Sequence, residues 1–464
     1  MVYLNKTKTM TKENHASKKL NLLDSTTIII GSMIGSGIFL VSADIAKQVQ
    51  SPGMLLLAWI VTGVITIFAA LSYGELAAAM PRAGGQYVYI REAFGPIYGF
   101  LYGWTLFSVI QTGTIAAVGI AFAKFTGVFI PSISADNILF DLGLFAVNTQ
   151  QVLAVTVIVF LSIYNYRDVK SGALIQNIFT ITKVAALLFL VVIGIYFGFT
   201  SPTGASNFTP AFPGVIDLAT IGIFGAALTG SLFSADAWNN ITFTAGEVEN
   251  PKRNLPLSLV LGTGTVILLY FLANVAYISV LGMDNIAHAE NNRVATSMMQ
   301  VILGANGKFF MAAMIMISTF GCLNGCIFTA ARVYYAMAND GMFLKNAAKL
   351  NKNNVPANSI TMQCIWASLL CFTGTYGQLL EYIMFAVLLF YILTISGIFV
   401  LRVKKPDMER PYKAFGYPII PALYIILATW VSITMLINQT QSSLYGLIII
   451  LTGVPLYFVM KKRA

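Results

Sequence analysis

Charged residues are scarce in this chain of 464 residues. Asp, Glu, Lys and Arg together make up 10% of it, whereas hydrophobic residues make up 57%. A typical soluble domain is about 25% charged, and a chain with so little charge cannot cover a water-exposed surface. This shortage excludes a soluble enzyme, a disordered chain and a coiled coil. It predicts an all-α, polytopic membrane protein.

Histidine and cysteine are also rare. The two histidines, His15 and His288, lie in polar segments, so the sequence offers no histidine for catalysis or metal binding within a span. All four cysteines fall within apolar runs, which predicts no structural disulfide: they are Cys322, Cys326, Cys364 and Cys371. Cys322 and Cys326 are one helical turn apart without a third ligand nearby, which favours packing over a metal site. We therefore expect no metal, no cofactor and no enzymatic activity.

Long apolar runs are abundant instead. A helix needs about 20 apolar residues to cross the hydrocarbon core of a bilayer, and twelve runs meet this requirement. They lie near 22–47, 53–80, 95–130, 150–166, 172–199, 215–245, 256–282, 296–338, 358–376, 379–402, 418–438 and 443–460. The runs are apolar on all sides, unlike the alternating strands of a β-barrel. The third and eighth are longer than a bilayer requires, so we expect them to tilt or to project into water.

The basic residues are distributed unevenly between the two sides of this topology. The chain carries 28 Lys and Arg against 18 Asp and Glu, and 23 of the 28 fall on the side of the termini. The other side has Lys47, Lys124, Arg293 and Lys308, and Lys183 lies inside a span. Because cytoplasmic loops carry the Lys/Arg excess, we expect both termini in the cytoplasm and the protein in the plasma (inner) membrane. The scatter of charges argues against binding to nucleic acid, and residues 1–20 lack a secretory signal.

Two spans contain small and polar residues at mid-membrane. Span 1 carries GSMIGSGIF at 31–39, and span 6 carries TGSLFSADAWNN at 229–240. A single glycine run is also typical of close helix packing, but a matched pair in two halves indicates a transporter site. The second run lies five spans after the first. We therefore predict a 5+5 inverted repeat with broken helices 1 and 6: a tail at 1–20, repeats at 21–199 and 215–402, and helices 11 and 12 at 418–460.

The broken spans predict a site for both charges of an amino acid. The second half of span 1 begins with free N–H groups that favour an anion such as a carboxylate, at Ser36, Gly37 and Ile38. The first halves of both spans end in carbonyls that favour an ammonium group, at Met33, Ile34, Phe233, Ser234 and Asp236. The side chain of Asp236 meets the ammonium directly or pairs elsewhere. Asn239 is a candidate for the pocket that receives the substrate side chain.

The sequence resembles the amino acid–polyamine–organocation (APC) superfamily over about 20–460. Within it, the sequence is similar to the L-type amino acid transporters (LAT) and their bacterial serine/threonine or alanine/serine/cysteine exchanger relatives. The motifs that carry the resemblance are IGSMIGSGIF, YGELAAAMPRAGGQYVYIREAFG, FSADAWNNITFTAGEVENPKRNLP and STFGCLNGCIFTAARVYYAMANDGMF. It implies the twelve-span, LeuT-like APC fold, alternating access and amino acid substrates. It also implies that Phe233 gates the site from outside.

Lys183 is the basic residue within a span. A lysine at mid-membrane costs about 2.5–3.5 kcal/mol on insertion scales, so a function is expected. The resemblance implies that its ammonium occupies the position where sodium-coupled relatives bind sodium. Its expected neighbours are the carbonyls of the span 1 break and Ser318 or Cys322, with Tyr270 completing the set. Glu75 in span 2 is expected to brace the end of that span.

Three functions remain open at this point. The leading hypothesis is a sodium-independent exchanger of neutral L-amino acids. The alternative is a proton-coupled amino acid symporter in which Lys183 is the protonatable group. An ion channel is disfavoured because the chain lacks a repeated pore motif.

The expected partners are small. They are the amino acid substrates and the lipid bilayer. Many eukaryotic L-type transporters bind a heavy chain through a cysteine between spans 3 and 4, but here 131–149 has no cysteine. No disulfide-linked heavy chain is expected, and the oligomeric state stays open.

Overall fold

The computed structural model describes residues 20–82, 84–141, 146–167, 169–214, 217–373 and 376–461. The fold is mostly helical. In chain order, the helices are α1 (Leu22–Met33), α2 (Gly37–Val49), α3 (Pro52–Ala79), α4 (Gln86–Phe94), α5 (Pro96–Thr105), α6 (Gln111–Thr126), α7 (Thr149–Arg167), α8 (Val169–Thr200), α9 (Leu218–Ser234), α10 (Pro251–Ala287), α11 (Val294–Asn339), α12 (Ala357–Leu370), α13 (Tyr376–Lys404), α14 (Ile419–Asn438) and α15 (Thr440–Lys461). The antiparallel strands β1 (Ile138–Asp141) and β2 (Ala146–Asn148) form a small hairpin before α7. The predicted tail at 1–20 lies outside the described residues except for Leu20.

Ten helices of the described residues are long and apolar enough to cross a membrane, or eleven if the bent pair α1 and α2 is one span. The expected ninth span at 358–376 coincides with α12, which has only 14 residues. This helix falls short of the length that a span requires, and so the count by length and composition is below the twelve expected from hydropathy. Exposed apolar side chains on outer helices, such as Val192, Ile426 and Val459, suit contact with lipid.

The first predicted span is broken within its glycine-rich run. Asn21 and Asp24 form a capping box that fixes the start of α1. The helix ends at Met33, and α2 starts at Gly37 after a bend of 43°. Three glycines and two serines in this run weaken the helix, because glycine loses the most backbone entropy in a helix and serine side chains compete for backbone hydrogen bonds. The break that the sequence predicts is therefore present in the structure.

The sixth predicted span is broken as well, but its second half is not an α-helix. Helix α9 ends at Ser234, and Ala237 adopts a left-handed conformation with φ 67°. A 3₁₀ helix then runs over Trp238–Glu247. The tighter winding of a 3₁₀ helix keeps this segment narrow beside the break.

The two overlong runs are interrupted. The third expected span consists of α5, a π-helical turn at Leu106–Ile110, and α6. In α11, Gly304 with φ 66° divides the eighth expected span, because a glycine tolerates this backbone conformation and side chains rarely do. The third and eighth predicted spans are thus longer than a bilayer requires because each contains an interruption.

An ionic network holds the helix ends on the side where most basic residues lie, which we call the basic face. Glu75, whose side chain is 3% exposed, accepts two hydrogen bonds from Arg402 at 3.0 and 2.7 Å and one from the Ala414 amide at 2.7 Å. Lys405 donates to Glu92 at 2.6 Å and lowers the pKa of that carboxyl from its ordinary value. Glu75 therefore braces α3 against α13, as the sequence suggests.

Candidate functional site at the two broken spans

Five consecutive carbonyl groups at the first break each accept a hydrogen bond from a side chain of another helix. Lys183 Nζ donates to Gly31 O at 2.6 Å and to Ile34 O at 3.1 Å. The remaining donors come from α10 and α11: Tyr270 to Met33 O at 2.8 Å, Ser318 to Ile34 O at 3.2 Å and Gly35 O at 3.5 Å, and Cys322 to Ser32 O at 3.3 Å. The structure thus brings together all four side chains expected around the break, and the two carbonyls expected to bind ammonium, Met33 and Ile34, already have donors.

Lys183 is the charged member of this set. It comes from α8 and is fully buried. No carboxylate of the described residues forms an ion pair with it. Backbone carbonyls at a helix C-terminus carry partial negative charge, so the end of α1 stabilises the ammonium group. The lysine therefore occupies a position suited to a monovalent cation.

The second half of span 1 meets the break in span 6. Ser36 is the N-cap of α2, and Gly37 and Ile38 are its first residues, so their N–H groups have no acceptor within the helix. Gly37 lies against Ser234, and a Cβ on this glycine would overlap the serine side chain and come within 2.9 Å of its Cα. The hydroxyl of Ser36 lies 3.0 Å from that of Tyr376. The predicted carboxylate-binding segment is thus next to the end of α9.

Aromatic side chains cover the breaks on the side away from the basic face. The ring of Phe233 meets the ring of Tyr376 edge-on, with centroids 6.3 Å apart. Phe233 is 8% exposed. Tyr376 begins α13, whose other end reaches Lys404 on the basic face. The Phe233–Tyr376 pair and the Ser36 hydrogen bond therefore close the site on one side.

Asp236 has its partner on α13. Its Oδ1 accepts a hydrogen bond from the Tyr391 hydroxyl at 2.6 Å. Trp238 packs against the ring of Tyr391 with centroids 5.3 Å apart and fixes its position. The Asp236 carboxylate, whose partner could not be assigned from the sequence, is thus hydrogen-bonded to the tenth predicted span.

Asn239 joins a chain of polar groups rather than standing alone. Its Nδ2 donates to Gln86 Oε1 at 3.1 Å, and Gln86 Nε2 donates to Thr394 Oγ1 at 3.0 Å. The chain connects the 3₁₀ helix after the second break to α4 and α13. All three side chains are buried, so the hydrogen bonds fix the 3₁₀ helix.

A small cavity of about 20 Å³ adjoins Asp236 between the breaks and the basic face. Its wall contains residues from the π-helical turn and α6, from the 3₁₀ helix, from α11 and from α13. The polar members are Gln86, Tyr102, Gln111, Thr114, Asp236, Asn239, Asn240 and Tyr391. Tyr391 lies 15 residues after Tyr376 on α13, which is about 22 Å along the helix. The site is therefore closed on the side of the breaks away from the basic face, and its free space lies between the breaks and the basic face.

Sequence reasoning missed four residues of this site: Gln86, Tyr376, Tyr391 and Thr394. Gln86 stands in the motif GGQYVY, Tyr376 is the last residue of the ninth predicted span, and Tyr391 and Thr394 lie in the tenth among other aromatic and apolar residues. Their hydrogen bonds cross 150 to 340 positions of the chain. Local patterns carry no signal for such contacts.

The comparison with known families matches residues 20–455 to the amino acid permease model. The chain belongs to the amino acid permease family. This family is part of the APC superfamily, which confirms the resemblance found in the sequence motifs. The permease is therefore a multi-pass membrane transporter and not an enzyme.

Individual relatives are similar over nearly the whole permease. The serine/threonine exchanger SteT of Bacillus subtilis (strain 168) is 29% identical over 457 residues, which cover 98% of the chain and 99% of the relative. The large neutral amino acids transporter small subunit 2 of Homo sapiens is 31% identical over 450 residues, 95% of the chain and 80% of the relative. The b(0,+)-type amino acid transporter 1 of Mus musculus is 29% identical over 451 residues, which cover 97% of the chain and 89% of the relative. All three are named for amino acid transport or exchange.

Proposed function

We propose that the permease exchanges neutral L-amino acids across the plasma membrane by alternating access and without sodium. The observation that carries this proposal is the buried ammonium of Lys183, bound to the carbonyls of Gly31 and Ile34. A bound sodium ion would supply one positive charge at such carbonyls. Here a covalently attached charge occupies them, so no ion has to bind or leave during the transport cycle.

The substrate lies at the two breaks in this proposal. The N–H groups of Ser36, Gly37 and Ile38 hold its carboxylate, and its ammonium binds at the end of α9, to the carbonyls of Phe233 and Ser234 and to Asp236. The carbonyl of Met33 accepts one side-chain hydrogen bond, from Tyr270, and offers its second lone pair to the ammonium, whereas the carbonyl of Ile34 already accepts two, from Lys183 and Ser318, and stabilises the ammonium by its partial charge alone. Each charge-assisted hydrogen bond contributes about 1.5–3 kcal/mol.

A site that is closed on one side supports the proposal of alternating access. Phe233 acts as the gate above the breaks, and Tyr376 is its partner. In the proposed orientation, a cavity between the breaks and the basic face supports a state that is closed toward the outside. Lys183, Ser318, Cys322 and Tyr270 couple the break to α8, α10 and α11 as the gate opens.

The proposed topology has twelve spans and cytoplasmic termini. Helix α12 serves as a short ninth span, and α14 and α15 follow two inverted five-helix repeats at 21–199 and 215–402. The basic face is then cytoplasmic, in agreement with the rule for Lys and Arg in cytoplasmic loops. Labelling of single cysteines introduced at exposed Lys405 and exposed Lys47 by an impermeant reagent tests this: only the variant at Lys47 is labelled from outside in intact cells.

Trans-stimulation in proteoliposomes tests the function. Vesicles loaded with unlabelled alanine, serine or leucine should take up the labelled amino acid faster than empty vesicles, and to the same extent in sodium and in choline buffer. Equal uptake into loaded and empty vesicles contradicts exchange. Uptake into empty vesicles that an acid-outside gradient drives supports the proton-coupled alternative instead.

We further propose that the permease works without a disulfide-linked heavy chain. One relative is named a small subunit, which indicates an assembly for that protein. In this chain, all four cysteines are free and lie in or next to helices of the apolar core. Non-reducing and reducing gels of the purified protein should show the same band, and a band that shifts on reduction contradicts the proposal.

A further inference from the structure

Helix α10 carries a stripe of three buried polar side chains. Tyr270, Asn274 and Tyr277 follow one another at intervals of four and three residues, which places them on one face of the helix. All three side chains are fully buried. A buried polar group is costly unless it is hydrogen-bonded, so the partners of this stripe indicate what it does.

The two tyrosines of the stripe donate to opposite sides of the first break. The hydroxyl of Tyr270 donates to the carbonyl of Met33, the last residue of α1, at 2.8 Å. The hydroxyl of Tyr277 donates to the carbonyl of Ile38, the second residue of α2, at 3.3 Å. In the proposed function, Met33 O faces the substrate ammonium and the N–H of Ile38 faces the carboxylate. Each tyrosine therefore fixes one of the two charge-binding ends of the site.

Asn274 adds a second attachment to α2. Its Oδ1 accepts a hydrogen bond from the hydroxyl of Ser42 at 2.7 Å, and its Nδ2 donates to the carbonyl of Tyr270 at 2.8 Å. Ser42 is fully buried as well. The asparagine amide is thus fixed at both ends, and it holds α2 one turn beyond the residues that bind the carboxylate.

The part of α10 that carries the stripe is an uninterrupted helix. Its residue with non-helical angles, Gly282 with φ 69°, lies beyond Tyr277, and Pro256 lies well before Tyr270. Tyr277 follows Tyr270 by seven residues, which is about 10 Å along a helix. The ring of Trp59 in α3 meets the ring of Tyr270 edge-on, with centroids 5.5 Å apart. The two donors are therefore held at a fixed separation.

The break itself does not fix the distance between its two ends, because residues 34–36 belong to neither α1 nor α2. The substrate requires a definite distance across these residues. One carbon separates the ammonium from the carboxylate in an α-amino acid, and two carbons separate them in a β-amino acid. The distance between Met33 O and the N–H of Ile38 therefore decides which of the two classes can bind with both charges.

We infer that Asn274 and Tyr277 are positioning residues that set the distance between the two charge-binding ends of the site and thereby select α-amino acids over β-amino acids. This inference rests on the proposed function, because it uses the same site. It adds two residues of α10 and the requirement that they impose on the substrate backbone. Both residues act through α2 and do not contact the substrate.

Competition between isomers tests the inference on the unaltered permease. Alanine and β-alanine have the same atoms and charges and differ only in the position of the ammonium group. Each unlabelled isomer is added as an inhibitor while proteoliposomes loaded with alanine take up labelled alanine. Half-inhibition should require about ten-fold more β-alanine or above, because this isomer loses one charge-assisted hydrogen bond. Equal inhibition by the two isomers overturns the inference.

Tyr277→Phe removes only the hydroxyl that holds Ile38. We expect half-inhibition to require about 2- to 10-fold more alanine, the effect of one neutral hydrogen bond, and the same amount of β-alanine as before, so the ratio between the isomers falls. A merely structural loss lowers exchange without changing this ratio. Thr263→Val on the same helix is the control, because Thr263 Oγ1 is buried without a partner among the described residues. A ratio in Tyr277→Phe equal to that of the control overturns the inference.

A double-mutant cycle tests the second attachment. Ser42→Ala and Asn274→Leu remove the two partners of one hydrogen bond, so each should lower the ratio between the isomers. The double variant should lower it no further than the larger single effect, because only one interaction is lost. Effects that add would overturn the role of this bond. Ser42→Ala and Tyr277→Phe each lose a single hydroxyl, and they decide the case if Asn274→Leu fails to fold.

Binding measurements separate this inference from the proposed function. Alanine should raise the unfolding temperature of the detergent-solubilised permease at lower concentration than β-alanine does, because a ligand stabilises the folded state according to its affinity. If this difference is present and shrinks in Tyr277→Phe while trans-stimulation fails, the exchange mechanism is wrong and the positioning role stands. If exchange occurs but the difference is unchanged in Tyr277→Phe, the positioning role is wrong.

Discussion

Replacement of Lys183 by methionine separates the stability of the permease from its activity. Methionine has a similar length but removes the donor to Gly31 O and Ile34 O. Ile34 O retains the hydrogen bond from Ser318, whereas the described residues offer Gly31 O no other side-chain donor. The change therefore costs the site about 2–4 kcal/mol, one charge-assisted hydrogen bond and part of a second.

The expected loss of activity follows from that free energy. At about 1.4 kcal/mol for each factor of ten, exchange should fall about 30- to 1000-fold if the full amount is needed to hold the break in its transport-competent form. The fold itself should lose little, because the substitution also removes a buried charge that costs about 2.5–3.5 kcal/mol in a membrane. We therefore expect the unfolding temperature in detergent to stay the same or rise.

The assay is exchange in proteoliposomes at matched protein content. Lys308→Met is the control, because Lys308 pairs with the exposed Glu290 at 2.8 Å, and such pairs contribute less than about 1 kcal/mol. Exchange by Lys183→Met within about three-fold of the control would refute the assigned role of the buried ammonium. A large drop in the unfolding temperature would show instead that Lys183 is needed for folding.

Three further substitutions test other parts of the site. Gly37→Ala introduces a Cβ that overlaps the side chain of Ser234 at the second break. Overpacking costs about 1–3 kcal/mol, so exchange should fall about 5- to 150-fold. The control Gly264→Ala places its Cβ in open space and should leave exchange unchanged. Glu75→Gln leaves Arg402 and Arg410, whose Nε lies 3.4 Å from Glu75 Oε1, without their carboxylate and should lower the free energy of unfolding by about 3–5 kcal/mol. Glu409→Gln breaks the exposed pair with Lys252 and should lower it by less than about 1 kcal/mol. Heat denaturation in detergent measures the difference, and equal effects would contradict the bracing role. Tyr391→Phe removes the donor to the buried carboxylate of the second break and should weaken substrate binding by about ten-fold; unchanged binding by thermal shift would show that the pair is structural only.

The positions of the two breaks could be predicted from the sequence because their cause is local. The run from Gly31 to Gly37 weakens the helix within its own few residues, and hydropathy locates the span around it. The position of Lys183 beside the first break was also anticipated, but through resemblance to a family and not through any pattern in the chain. The roles of these residues in transport stay predictions.

Other features depend on contacts between distant segments. The hydrogen bonds of Tyr376 with Ser36 and of Tyr391 with Asp236 require α13 to lie beside both breaks, and hydropathy does not encode that arrangement. Apolar runs also do not predict the π-helical turn at Leu106–Ile110 or the shortness of α12. Such runs indicate which segments are buried, but not how a helix is wound or where it ends.

Sodium dependence of exchange is the most direct test of the central claim that Lys183 replaces a bound cation. Proteoliposomes loaded with labelled serine should release it when unlabelled serine is added outside, and release and entry should be equal in a double-label experiment. The account predicts the same exchange rate when all sodium is replaced by choline at constant pH. A rate that rises with sodium concentration and saturates would contradict it, because saturation requires a sodium site that the ammonium of Lys183 is proposed to occupy.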